Sequence, residues 1–226
     1  MIPGYSIALV ELFLFFLASH KIRTLFPMLL EINKISYYWM MFTILTLFWE
    51  TSFICNYTRV REISTTLLQE KQHVWTNHYP LLYILPNKMA EIFYSEYAAY
   101  ADREYMSRTD DWSRIIESTH AIFCGVISFI ALVWKIKNKQ DHFLIFLGAS
   151  MGSQFMNSIL YMSNYFIQMK NPHNVNFNTP RFPSGPFLSE RPFMWINLFW
   201  TIMPMYVIYH SLATTLNFTT ITMNKT

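Results

Sequence analysis

The sequence predicts an all-α integral membrane protein, a five-helix transmembrane bundle. Three observations predict it. Of 226 residues, 53% are hydrophobic and 18% aromatic, while only 14% are charged, well below the quarter usual in soluble domains. The apolar residues gather into five stretches close to the roughly 20 residues that cross a bilayer. Backbone groups in hydrocarbon must bond within their own segment, so each such stretch is expected to be helical.

The expected helices cover about 5–19, 35–57, 113–134, 142–169 and 192–216 of a single domain. The first is short, with His20, Lys21 and Arg23 at its end to reach the headgroups. Lys135, Lys137 and Lys139 close the third. The connection 58–112 is long. It carries Pro80, Pro86 and the stretch "EIFYSEYAAYADREYM", whose mixture of Tyr and carboxylates suits a helix in the headgroup layer. The connection 170–191 is rich in Pro and Asn and reads as an irregular loop. Lys and Arg counts in the connecting loops favour a cytosolic C-terminus.

Several function classes are excluded. With 5 glycines and neither GxGxxG nor GxxxxGK[ST], a nucleotide loop is not expected. A net charge of +3, with scattered Lys and Arg, gives no nucleic-acid footprint. No inverted repeat suggests a transporter. Cys55 and Cys124 lie in apolar runs and read as small fillers rather than a disulfide. No metal spacing is present, and no cofactor is expected.

The polar residues inside the apolar segments carry the chemistry. Thr46 and Glu50 stand four apart in the second segment, and Glu117 and His120 three apart in the third. Gln154, Asn157 and Tyr161 follow in the fourth, then Asn197, Trp200 and Pro204 in the fifth. Spacings of three, four and seven place each set on one helix face, so four stripes can converge on an internal cavity. Amides in such helices often serve as interhelical hydrogen bonds, and this reading stays open for Gln154 and Asn157. Ionisable groups cost about 2.5–3.5 kcal/mol at mid-bilayer on insertion scales and usually mark function. Glu50 and Glu117 are therefore the candidate acid and base. Glu11 has no partner at helical spacing and is set apart from them. A dry pocket with an acid, a base and the electron-rich face of Trp200 suits protonation of an alkene, shelter of the carbocation and loss of another proton.

Four motifs extend this reading: "SEYAAYADREYM", "DDWSRIIESTHA", "SQFMNSILY" and "NLFWTIMP". In order and spacing they resemble the emopamil-binding protein family of sterol Δ8–Δ7 isomerases, in the wider EXPERA group that includes the sigma-2 receptor. The resemblance runs from about 35 to 212. It implies five helices around a pocket open to lipid, with Glu50 and Glu117 shuttling the proton and Trp200 facing the cation. His120 joins the catalytic set by position. Asn197 would orient these groups, Asp110 would sit at the pocket mouth, and Thr46, Gln154 and Tyr161 would line the substrate site. The implied partner is a sterol-like or triterpenoid lipid, with cationic amphiphilic drugs as a second ligand class. The implied location is the endoplasmic reticulum, and a homodimer is an assembly left open. Thr46 stands where the family has His, His120 where it has Thr, and Ser158 where it has Asp. Thr46 and His120 are accordingly expected to face each other, so that the exchange conserves the groups present. The alternatives are loss of turnover, leaving a sterol- or amine-binding protein of the sigma-2 receptor type, and a trafficking partner.

Overall fold

The structure is a computed structural model that describes residues 1–102, 111–168 and 192–223. Its long helices are α1 (Gly4–Leu25), α2 (Lys34–Cys55), α3 (Tyr57–Glu70), α4 (Pro86–Glu96), α5 (Asp111–Ile136), α6 (Gln140–Gln168) and α7 (Pro192–Met223). Four stretches, Gly4–Leu25, Lys34–Cys55, Ile115–Ile136 and Gln140–Asn164, are long and apolar enough to cross a membrane. That is consistent with an all-α membrane protein. The segment at 192–216 falls within α7, which carries Pro204 inside it. The connection 170–191 and Asp110 lie outside the described residues.

Helix α1 runs beyond the expected 5–19 because Arg23 continues it. Its guanidinium donates to the carbonyls of Leu29, Leu30 and Ile32, the last at 2.7 Å. The cation thus satisfies the short 3₁₀ turn that follows (Pro27–Glu31). Helix α2 starts at Asn33, whose Oδ1 accepts from the Ile35 and Ser36 amides at 2.9 and 3.2 Å. At the other end of α1, a two-residue antiparallel pairing of Ile2–Pro3 with His78–Tyr79 ties down the chain start.

Helix α2 is the shared element, packing on α4, α5 and α7, while α6 lies between α5 and α7. The approach of α5 to α2 is set at Gly125. A Cβ there would lie 2.5 Å from Leu47 Cβ and 2.9 Å from the Thr43 carbonyl oxygen. Small residues let membrane helices come this close. The lower half of the bundle is apolar, built on Leu29, Tyr37, Met40, Leu132, Phe143, Leu147 and Met151.

The connection 58–112 holds α3 and α4, followed by a π-helical turn. Helices α3 and α4 pack on each other and on the upper half of α2, through Leu45, Trp49, Phe53, Val60, Ala90, Tyr94 and Ala98. Glu91, Ser95 and Glu96 are buried rather than turned to water. Each has an internal partner: Lys88 and Arg59 pair with Glu91 at 2.5 and 3.3 Å, and Ser95 donates to the Glu91 carbonyl at 2.6 Å. Glu96 accepts from the Val74 amide at 3.0 Å and meets His73 Nδ1 at 2.5 Å. This cap leaves Arg59 and His73 exposed.

Candidate functional site

Under the cap, four helices bring their polar groups together. Glu50 comes from the upper part of α2 and Glu117 from the first turns of α5. The two carboxylates are within Coulombic reach of each other. Tyr94 of α4 donates its hydroxyl to Glu50 Oε1, and Ser118 lies beside the same carboxylate. Glu50 Oε2 is buried with no hydrogen-bond partner. Glu117 Oε2 accepts from Asn157 Nδ2 of α6 at 2.8 Å. Neither glutamate forms an ion pair with Lys or Arg among the described residues.

One turn past Asn157, Tyr161 donates to Asp102 Oδ2 at 2.5 Å and meets the Tyr97 hydroxyl at 3.0 Å. Tyr97 and Asp102 are set by a π-helical turn, Tyr97–Ala101, closed by the Asp102 amide on the Tyr97 carbonyl at 2.9 Å. Such turns inside helices often mark functional positions. Burial, then the Asp102 carboxylate, pushes the Tyr97 phenol well above its ordinary value, and Glu117 and Glu50 add to the rise. Tyr97 is therefore a neutral hydroxyl at any physiological pH.

The remaining expected residues sit at other levels. Trp200 packs on Trp39 and Phe42, with centroids 4.9 and 5.8 Å away. Phe42 precedes Glu50 by eight residues, so this aromatic layer lies about 12 Å further down α2 at 1.5 Å per residue. Gln154 joins α6 to α2: it accepts from Trp39 Nε1 at 3.1 Å and donates to Thr43 Oγ1 at 2.9 Å. That is the interhelical-bond role left open for it. Thr46 is buried and donates to the Thr43 carbonyl at 2.8 Å, within its own helix. His120 leans towards α6, against the Ser153 backbone, with Nε2 3.3 Å from Cys124 Sγ. The contacts of Thr46 and His120 thus run to different neighbours, and no bond joins them. Asn197 lends its carbonyl to Ser158 Oγ at 3.2 Å, and Ser158 meets Thr201 at 2.9 Å, joining α6 to α7.

Four groups of the cluster were not singled out from sequence: Tyr94, Tyr97, Asp102 and Ser118. A signal for them exists. Ala90, Ala98 and Ala99 are buried, and such small residues beside Tyr at helical spacing mark a face packed against another helix. Glu11 also differs from its sequence reading. It is buried, with Oε1 accepting from Trp49 Nε1 at 3.0 Å and Oε2 without a partner. A separate hollow of about 530 Å³ lies between the end of α2 and the start of α4, lined by Phe48, Thr51, Ser52, Cys55, Asn56, Pro86 and Asn87. Both cysteines are free, and Cys55 is exposed at this hollow. Among the described residues, no group of three or more His, Cys, Asp or Glu is arranged to hold a metal ion.

No family model, no curated protein and no solved structure matches the chain.

Proposed function

We propose that the chain is a five-span membrane protein of the EXPERA type that moves a ring double bond in a sterol-like lipid. The observation that carries this reading is that Glu50 and Glu117, from different helices, lie within Coulombic reach of each other in one half-buried cluster. Each has one oxygen held by a neutral donor, Tyr94 or Asn157, leaving its other oxygen for proton transfer. Glu117 protonates one alkene carbon, and a carbocation forms at the other. The orphaned Oε2 of Glu50 then takes a proton from the adjacent carbon, and the double bond has moved by one position. Atoms and charge balance without redox. Trp200, with Trp39 and Phe42, gives an aromatic cluster for the ring system of the same lipid, and His120 and Asn197 tie α5 and α7 to α6.

The test supplies a Δ8-sterol in heavy water to membranes containing the protein. The expected result is the Δ7 product carrying solvent deuterium. Unchanged sterol beside folded protein overturns the reading.

A second reading is a sterol- or amine-binding protein without turnover. Two half-buried carboxylates with no cationic partner among the described residues favour it, since they would draw an amphiphilic ammonium. Glu50→Gln separates the two. An isomerase loses turnover far more than sterol affinity, whereas a binder shows no turnover in either form and loses amine affinity. The endoplasmic reticulum as the location rests on the family resemblance alone.

A further inference from the structure

The hollow between the end of α2 and the start of α4 has no part in the double-bond shift. Its volume of about 530 Å³ falls within the roughly 300–1,000 Å³ of small-molecule sites. Two hydrogen bonds build its polar end. Ser52 donates its hydroxyl to the Asn87 carbonyl at 2.6 Å, and Asn56 Nδ2 donates to the Ser52 carbonyl at 2.9 Å. The lining changes character along α2: exposed Phe48 first, then Thr51 and Cys55, then the amides of Asn56 and Asn87. The eight residues from Phe48 to Asn56 span about 12 Å of helix. Helix α2 is long and apolar enough to cross a membrane, and it ends at Cys55. In a bilayer spanned by α2, the hollow therefore runs from hydrocarbon to headgroups. Leu81, Leu82 and Leu85, just ahead of α4, are exposed as residues against lipid are.

The polar end borders two cations. Lys88 follows Asn87 directly, and Arg59 stands three residues past Asn56, about 4.5 Å of helix rise. Buried Glu91 holds the two side by side, with Lys88 Nζ at 2.5 Å and Arg59 Nε at 3.3 Å. Arg59 also donates to the Tyr83 hydroxyl at 3.4 Å. Two cations on one acid leave one positive charge uncompensated. Arginine presents five donors and lysine three, more than Glu91 and Tyr83 take up. We propose that this hollow binds an anionic phospholipid of the surrounding bilayer, its acyl chain along Phe48 and Cys55 and its phosphate at Arg59 and Lys88. The order of groups along a phospholipid matches the order along the hollow: chain, then ester at Thr51 and Asn56, then phosphate. A zwitterionic lipid fits less well, because its own ammonium opposes Arg59 and Lys88. The site does not rest on the isomerase reading.

The experiment follows maleimide alkylation of Cys55 in the full-length protein in detergent. Cys55 is exposed at the hollow and Cys124 is buried, so the rate reports on the hollow. Phosphatidylglycerol, phosphatidylcholine or glycerol 3-phosphate is added in turn. Phosphatidylglycerol should slow the alkylation at a concentration about fivefold lower than phosphatidylcholine, the effect of one basic charge near a lipid headgroup. Glycerol 3-phosphate, which has no chain, should leave the rate unchanged. Arg59→Gln should abolish the difference between the two lipids, and Arg59→Lys should keep it. Arg61→Gln removes another exposed cation of α3 and should also keep it. Equal protection by both lipids in the parent protein, or none by either, overturns the proposal without recourse to any variant. A loss in Arg61→Gln as large as in Arg59→Gln overturns it in favour of general surface charge. Protection by glycerol 3-phosphate equal to that by phosphatidylglycerol overturns it in favour of a free-phosphate site.

Discussion

Glu11 and Glu50 invite comparison, because their immediate surroundings are alike. Each carboxylate has one oxygen bonded by an aromatic side chain, Trp49 or Tyr94, and each has its other oxygen buried without a partner. What differs is the company. Glu11 sits on the seam of α1 formed by Gly4, Ile7 and Ser19. Its neighbourhood is the apolar layer of Leu12, Phe15, Phe42 and Trp49. Glu50 shares its space with Glu117, Tyr94 and Ser118, and Tyr97 senses it across the cluster. Burial of an acid states a cost. Convergence of a second acid and several hydroxyls is what the proposed chemistry requires.

The largest expected effect tests that difference. Glu50→Gln and Glu117→Gln should each lower turnover by about 100- to 10,000-fold, the range for loss of a positioned acid or base, with sterol affinity little changed. Glu11→Gln should leave turnover intact, since its amide oxygen can still accept from Trp49. Equal losses at Glu11 and Glu50, measured as product formed per folded protein, would dissolve the comparison.

Next in size is the spacing of α2 and α5, the helices that carry Glu50 and Glu117. Gly125→Ala places a methyl 2.5 Å from Leu47 Cβ and 2.9 Å from the Thr43 oxygen. Overpacking of this kind costs about 1–3 kcal/mol. Thermal unfolding in detergent should show the loss. Turnover of the remaining folded protein should also drop, because Glu117 rides on the helix that is pushed away. Unchanged stability and rate would mean that the contact at Gly125 does not fix the pair.

A third substitution addresses Glu11 from its partner. Trp49→Phe keeps a ring on Phe93 and Phe42 but removes the one donor to Glu11. Leaving a buried acceptor unmet costs about 1–3 kcal/mol, so the unfolding temperature should fall. Combining it with Glu11→Leu should restore most of the loss, since both polar partners are then gone. Failure of that restoration would show that Trp49 acts through its packing alone.

The same comparison shows what could be read in advance. The apolar stretches and the polar stripes on them were legible because helical periodicity and bilayer thickness are local rules. Glu50, Glu117 and Asn157 follow from them. The cap was not legible. "EIFYSEYAAYAD" has the composition of an interfacial helix, and only tertiary packing decides that Tyr94 and Tyr97 turn inward. The position of Trp200 beside Trp39 and Phe42 depends on the register of α7 along α2, which no single helix encodes. Glu11 looked isolated because its partner is a Trp on another helix.

The smallest effect concerns the start of α1 and separates it from the acid cluster by pH. Tyr79 pairs with Ile2, and the Asn77 carbonyl accepts from the Gly4 amide at 2.9 Å. Burial raises the Tyr79 phenol from 10.0 to about 12, with Tyr83 and Glu96 adding to it. The folded protein therefore holds this proton more tightly than the unfolded chain does. The resulting stabilisation is complete below pH 10.0 and disappears as pH rises through about 12. The unfolding temperature should stay level to the lower limit of that window and then decline. Phenolate absorbance should show a late tyrosine step accompanying the decline. Tyr79→Phe should remove one tyrosine's part of that step and its share of the slope, since no proton is then released on unfolding at this site. If the decline persists unaltered in Tyr79→Phe, the alkaline limit belongs to other groups, and the pairing that anchors α1 is insensitive to the charge at its edge.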